Sequence, residues 1–234
     1  MKAPLWLESL RQHRFPAFAA ASLLGLILLG LRTYLAHRGA YLFYVWNLFL
    51  AWLPLIFAVQ AAHASRAQRP VRAIVAGLLW LLFLPNAPYL ITDIVHWSPR
   101  LPIPLWFDLL LCVHFAWLGL ALGFTSLQLL EAEVIRRRGV VWGRCFALVC
   151  LSLTSFGIYL GRFRRWNSWD IVRAPGSLFG DISVRVLDPF NHRGTWAFTI
   201  VCGLFLFSAY WVLAAMTQAR NEPARIHPAT GPKA

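Results

Sequence analysis

Asp93 and His96 stand three positions apart in the run Leu84-Pro-Asn-Ala-Pro-Tyr-Leu-Ile-Thr-Asp-Ile-Val-His-Trp97. An aspartate at that distance from a histidine could share a metal ion with it, or orient the imidazole for proton transfer. Helical spacing puts Tyr89, Asp93, His96 and Trp97 on one face, and Asn86 joins them if the helix break at Pro85 and Pro88 is slight. A solvated helix end with Asp and His among lipid headgroups uses the same residue types. The pair alone defines no metal site. Asp93 and His96 are therefore candidates for acid–base chemistry, with no metal assigned.

A second run carries more charge: Phe156-Gly-Ile-Tyr-Leu-Gly-Arg-Phe-Arg-Arg-Trp-Asn-Ser-Trp-Asp170. Tyr159, Arg162 and Trp166 follow at i, i+3 and i+7, on one helical stripe. A guanidinium meets phosphate or carboxylate in a bidentate fork, so an anion is the ligand these arginines suggest. The candidate binding residues from both runs are Asn86, Tyr89, Arg162, Arg165, Trp166, Asn167, Trp169 and Asp170. A basic, aromatic anchor at a membrane interface would also explain the Arg and Trp. Gly157 and Gly161 form a small-xxx-small step, which lets helices pack closely. No known nucleophile motif, Walker loop or HExxH occurs in the chain. Whether it is an enzyme stays open on the sequence, and no cofactor is specified.

Long apolar elements must hold these runs. Of 234 residues 59% are hydrophobic and 13% charged, too little polar surface to coat a soluble core of this size. Six blocks approach the roughly 20 apolar residues that cross a bilayer. They are Phe15–Leu31, Tyr41–Ala61, Val71–Leu90, Leu105–Leu127, Val140–Leu160 and Thr195–Met216. The first follows Lys2, Arg11 and Arg14 as a signal peptide would, but its stretch is long and no clear cleavage site follows, so it is read as a span. The expected fold is all-α: a polytopic bundle of about six spans forming a single domain over residues 1–216, with a disordered cytoplasmic tail over 217–234.

The net charge of +13 belongs mostly to arginines flanking these blocks, which points to membrane orientation and away from nucleic acid. Both termini are expected in the cytoplasm. With the fifth loop set aside, thirteen Lys and Arg then fall inside and three outside. The fifth loop opposes this with six (Arg162, Arg164, Arg165, Arg173, Arg185 and Arg193). All five Asp fall on its side and all four Glu on the other, so aspartates or a bound anion could offset those arginines.

Other residues have plainer readings. Cys112, Cys145, Cys150 and Cys202 read as small buried apolar residues rather than disulfides or ligands. Asn47 reads as interhelical glue, Asp108 as a carboxylate on a helix N-terminus, and His114 as a partner for a backbone carbonyl. Phe179, Ile182, Val186 and Phe190 lie opposite Asp181, Arg185 and Asp188, the pattern of a helix in the membrane plane. That helix could roof the outer ends of the spans.

The runs LPNAPYLITDIVH and GIYLGRFRRWNSWD, with YLFYVWNLFLAWLPL of the second block, resemble the signatures of a family of bacterial multi-pass membrane proteins. It is a domain-of-unknown-function family, numbered thirteen sixty-one. The resemblance covers roughly residues 38 to 215. It implies a bacterial inner-membrane protein and assigns no activity, substrate or cofactor. The expected partners are the lipid bilayer and an anionic or lipid-linked small molecule, with no nucleic acid; the oligomeric state is not specified. Three roles fit: an enzyme on a lipid-linked or phosphate-bearing substrate at the outer leaflet, a small transporter or lipid-handling protein, and a structural or assembly partner.

Overall fold

Within a bilayer every backbone N–H and C=O must find its partner inside the protein, and a continuous apolar block does so as a helix. The computed structural model describes residues 15–37, 39–98 and 102–221; of residues 96 and 217–221 it describes the backbone alone. The described residues form helices: α1 (Phe15–Ala36), α2 (Phe43–Arg66), α3 (Pro70–Phe83), α4 (Asn86–Tyr89), a 3₁₀ segment (Leu90–His96), α5 (Leu105–Arg138), α6 (Val140–Arg164), α7 (Asp170–Arg173), α8 (Pro175–Leu187) and α9 (Arg193–Asn221). Six stretches are long and apolar enough to cross a membrane, among them Pro70–Val95, which runs from α3 into the 3₁₀ segment. The protein is a six-span helical membrane protein, as the apolar blocks indicate. Residues 222–234 of the expected tail lie outside the described residues, and α9 continues past Met216 to Asn221.

The middle of the bundle is α5, which packs on α1, α2, α4, the 3₁₀ segment and α6. Its 34 residues would extend about 50 Å against a hydrocarbon core of about 30 Å. Its last turns therefore project beyond the core, and they carry Glu131, Glu133 and Arg136–Arg138. There Glu133 pairs with Arg66, Arg136 and Arg137, while Glu131 pairs with Arg144 at 2.9 Å and accepts the Tyr210 hydroxyl. The connections after the first, third and fifth spans emerge at the other end, called here the signature face.

Near that face the interior holds an ion pair where a simple helix cap was expected. Arg32 lies inside α1 rather than in a loop, and it meets Asp108 in a fork of 3.0 and 3.1 Å with both side chains 1% exposed. The helix dipole at the start of α5 would suit a carboxylate in water. In the bundle, the same carboxylate is desolvated and takes a full counter-charge. His114 bonds the carbonyl of Ala21 at 2.9 Å, as expected. None of the four cysteines forms a disulfide; Cys112 and Cys150 are buried, but Cys145 is exposed on α6. Burial was expected for all four; a lipid-facing thiol is as apolar-compatible as a buried one.

The third span is the element that builds the site. Pro85 and Pro88 interrupt the hydrogen-bond ladder between α3, which ends at Phe83, and the short α4, while the backbone at Leu84, Pro85, Tyr89 and Leu90 stays right-handed helical, so the break is slight. Two glycine pairs close on it. A Cβ on Gly119 of α5 would lie 2.2 Å from the carbonyl oxygen of Ala87, and one on Gly157 of α6 would lie 2.6 Å from Pro85 Cγ. Gly123 and Gly161 sit one turn on, against Ala87 and Tyr89. The Gly157–Gly161 step was legible in the sequence, and Gly119–Gly123 is a second step of the same spacing. Gly119→Ala and Gly157→Ala are expected to destabilise by about 1–3 kcal/mol or more through overpacking. Gly30→Ala, with nothing within 4 Å of its added carbon, should instead be neutral or stabilise by up to about 1 kcal/mol. Thermal unfolding in detergent distinguishes the signs, and equal shifts for all three would contradict the close packing.

Candidate functional site

Arg162 sits in the last turn of α6 and reaches the broken third span. Its Nε and Nη2 donate to Thr92 Oγ1 at 2.9 and 2.6 Å, Nη2 pairs with Asp93, and Cζ lies 4.5 Å over the Tyr89 ring. Asp93 is 2% exposed and also accepts Asn47 Nδ2 at 2.9 Å. The Thr92 hydroxyl, an acceptor for Arg162, donates to the Tyr89 carbonyl at 2.6 Å. Asn47 is thus the glue expected of it, and the partner it holds is the site's carboxylate.

The α-helical stripe Tyr89–Asp93–His96–Trp97 does not form, because Leu90–His96 is a 3₁₀ helix with about three residues per turn. That pitch lines Thr92 up with Tyr89 beneath Arg162, while Asp93 turns into the bundle. Trp97 turns out and donates to the carbonyl of Leu105 at 3.2 Å. The His96 side chain lies outside the described residues. Asp93 is therefore a salt-bridged carboxylate. Among the described residues, no group of three His, Cys, Asp or Glu side chains could hold a metal.

After Arg162 the chain turns sharply. Arg165 ends α6 in the left-handed region at φ 61°, and Trp166 N–H reaches back to the Leu160 carbonyl at 3.1 Å. Such a cap favours glycine, so an arginine here carries some strain. The turn points Arg165 into solvent and brings Trp166, Asn167 and Ser168 back over the third span. Asn86 Nδ2 donates to Ser168 Oγ and to the Phe83 carbonyl, each at 3.0 Å, and Ser168 donates to the Leu82 carbonyl at 3.2 Å. Trp169 packs edge-on against Trp46 at 5.9 Å between centroids. Asp170 was expected to neutralise an arginine. It caps the turn instead, accepting Asn167 N–H at 2.7 Å and Asn167 Nδ2 at 3.3 Å.

Between these segments lies a cavity of about 430 Å³. Its deep wall is apolar, with Leu50, Leu81, Leu153, Phe156 and Leu160 among its residues. Its other end presents Asn47, Asn86, Tyr89, Trp166, Asn167 and Ser168. Neither Arg162 nor Arg165 lines it, nor does Asp93, Trp169 or Asp170. Of the sequence candidates, Asn86, Tyr89, Trp166 and Asn167 share the cavity, Arg162 and Asp93 form the strut behind Tyr89, and Arg165, Trp169 and Asp170 belong to neither group.

α8 adds Leu178, Phe179 and Ile182 to the lining. It is amphipathic, and its polar stripe faces the protein: Arg164 bonds Asp181 through Nε and Nη2 at 3.1 Å each, Trp166 Nε1 donates to Asp181 at 2.8 Å, and Arg185 pairs with Asp181 as well. Phe179, Val186 and Phe190 remain exposed, as a helix resting in lipid requires. Phe190 lies beyond the helix, which ends at Leu187. Burial alone would raise the Asp181 carboxyl, but hydrogen bonds from Arg164, Trp166 and Arg185 bring it down to about 2 from 3.8. A depressed carboxylate contributes stability above its unfolded pKa and loses it as pH falls through the folded one. Amide protection in residues 178–187 should therefore hold from neutral pH to about 4 and fall between about 4 and 2. Asp181→Asn should remove that step from hydrogen-exchange profiles corrected for intrinsic rate; a step that survives in the variant would assign it to another group.

Sequence reasoning missed Thr92, Ser168 and the seat at Asp181. Thr92 carried a signal only at three-residue pitch, and Ser168 only once the left-handed turn is known. A family model described as Protein of unknown function (DUF1361) matches residues 46–209. The chain belongs to this family. The matched stretch begins in α2 and ends in α9, so it takes in every cavity residue and the Arg162–Asp93 strut but not Arg32. No curated protein and no solved structure matches the chain.

Proposed function

We propose that this protein binds the headgroup end of a lipid or lipid-linked molecule in the cavity beneath α8, at the outer leaflet of a bacterial inner membrane, with both termini in the cytoplasm. The observation that carries the reading is the cavity itself. An apolar wall runs to a cluster of amides and aromatics at the membrane end of a broken span, the two-part lining an amphiphile needs. The excess of Arg and Lys at the opposite face supports the orientation.

The arginines have a separate role. Arg162, Arg164 and Arg185, three of the six fifth-loop arginines, are bonded to Asp93 and Asp181, so these three are offset within the protein. They hold the walls of the cavity and do not line it. Reporter fusions at the C-terminus and between the third and fourth spans test the orientation, and a periplasmic C-terminus would reject it. Ile182→Trp fills the cavity from α8. The variant should insert and melt as wild type does, yet copurify with less lipid by native mass spectrometry. Unchanged retention would mean that the cavity is not a binding site.

A further inference from the structure

We infer that the headgroup held in this cavity is uncharged and hydroxyl-rich, of the sugar or polyol class. The inference rests on reading the cavity as an amphiphile site and adds the chemistry of its polar end.

Three asparagines line that end, and the acceptors around them fix how each is turned. The amide nitrogen of Asn47 is drawn to the Asp93 carboxylate, that of Asn86 to the Phe83 carbonyl and Ser168 hydroxyl, and that of Asn167 to the Asp170 carboxylate. A carboxylate or a carbonyl can only accept, so none of the three amides can be flipped without losing its bond. Each therefore keeps its carbonyl oxygen as an acceptor for a ligand. Both Asn86 hydrogens are spent, whereas Asn47 and Asn167 each keep one. Ser168 has given its proton to the Leu82 carbonyl. Tyr89 contributes a phenol, the remaining hydroxyl of the lining.

The polar end thus offers three carbonyl acceptors, two amide hydrogens and a phenol. Among the described residues it includes no Lys, Arg, His, Asp or Glu. A phosphate or carboxylate accepts only, and it would face carbonyl oxygens with no cation in the lining to offset its desolvation. An ammonium would find acceptors but no carboxylate. A hydroxyl both donates and accepts, so several on one ring can use the oxygens and hydrogens together. Trp46, Trp166 and Tyr89 add flat apolar faces for the ring's C–H side.

The test is a titration of the full chain in a polyoxyethylene detergent with three dodecyl amphiphiles: a glucoside, a phosphate and a trimethylammonium. Binding is read by tryptophan fluorescence and native mass spectrometry. The glucoside is expected to bind about tenfold or more tighter than the other two, the scale on which unpaired polar groups in a site discriminate. Asn86→Leu and Asn167→Leu should each erase that preference while leaving tail binding. Asn167 is exposed, so its variant remains informative should Asn86→Leu fail to fold. Preference for the phosphate or ammonium, equal binding of all three, or a glucoside preference unchanged in both variants overturns the headgroup assignment and leaves the cavity an amphiphile site. No saturable binding of any of the three overturns the underlying reading as well.

Discussion

Asp108→Ala is expected to destabilise the protein by about 3–5 kcal/mol, because it leaves Arg32 charged, buried and unpaired. The guanidinium has no escape to water: its side chain is 1% exposed, and it is wedged over the Tyr41 ring at 4.6 Å. Its Nη1 already lacks a partner among the described residues, so the cavity left by the carboxylate would add to an existing deficit. Arg32→Ala should cost a similar amount through the stranded carboxylate. The double variant Arg32→Met, Asp108→Leu should recover most of the loss, since well-packed apolar pairs replace buried ion pairs at little cost. The measurement is thermal unfolding in detergent, with folded yield from size exclusion. Additive losses in the double variant would show that the two residues do not act as a pair. The pair joins α1 to α5, and α1 otherwise sits at the bundle's edge, so the expected failure is loss of α1 from its seat.

Much of the fold was legible because a bilayer enforces a simple rule: apolar blocks of sufficient length become helices. The break at Pro85–Pro88 was legible for a similar reason, since proline removes a donor wherever it stands. The roof helix was legible from its period, down to the opposition of Phe179 and Asp181. What the sequence could not supply was partner choice. Asp108 offers a carboxylate at a helix start, where the dipole alone is a sufficient account, and nothing local indicates that Arg32, 76 positions away, will turn inward to meet it. The 3₁₀ pitch after Tyr89 was hidden too. It lines Thr92 up with Tyr89, one 3₁₀ turn away, as a partner of Arg162. The fifth-loop arginines had two readings in the sequence, a bound anion or aspartates that offset them. Arg162 pairs with Asp93, and Arg164 and Arg185 with Asp181, and which aspartate would reach which arginine is not written in the sequence.

Arg162→Ala provides the sharpest division between a strut and a binding residue. The substitution removes two bonds to Thr92, the ion pair to Asp93 and the cation over Tyr89 in one step. It takes the counter-charge from Asp93, which is 2% exposed, while Asn47 Nδ2 still donates to it. A cost of about 3–5 kcal/mol follows for a buried ion pair broken on one side. If stranding is the cause, adding Asp93→Asn to Arg162→Ala should return a large part of it, because a neutral amide loses far less on burial. Arg162→Lys should rescue poorly, since an ammonium cannot bridge Thr92 and Asp93 as a fork or lie flat on Tyr89. A ligand-binding arginine would behave otherwise. Its alanine variant would unfold at the wild-type temperature, Asp93→Asn would restore nothing, and the loss would show only in amphiphile titrations. The strut also predicts an indirect effect on the cavity. Tyr89 belongs to the lining and Arg162 lies over its ring, so glucoside affinity in Arg162→Ala should fall in step with stability and return with the Asp93→Asn rescue. Affinity lost in the double variant while stability is restored would place Arg162 in the binding site after all.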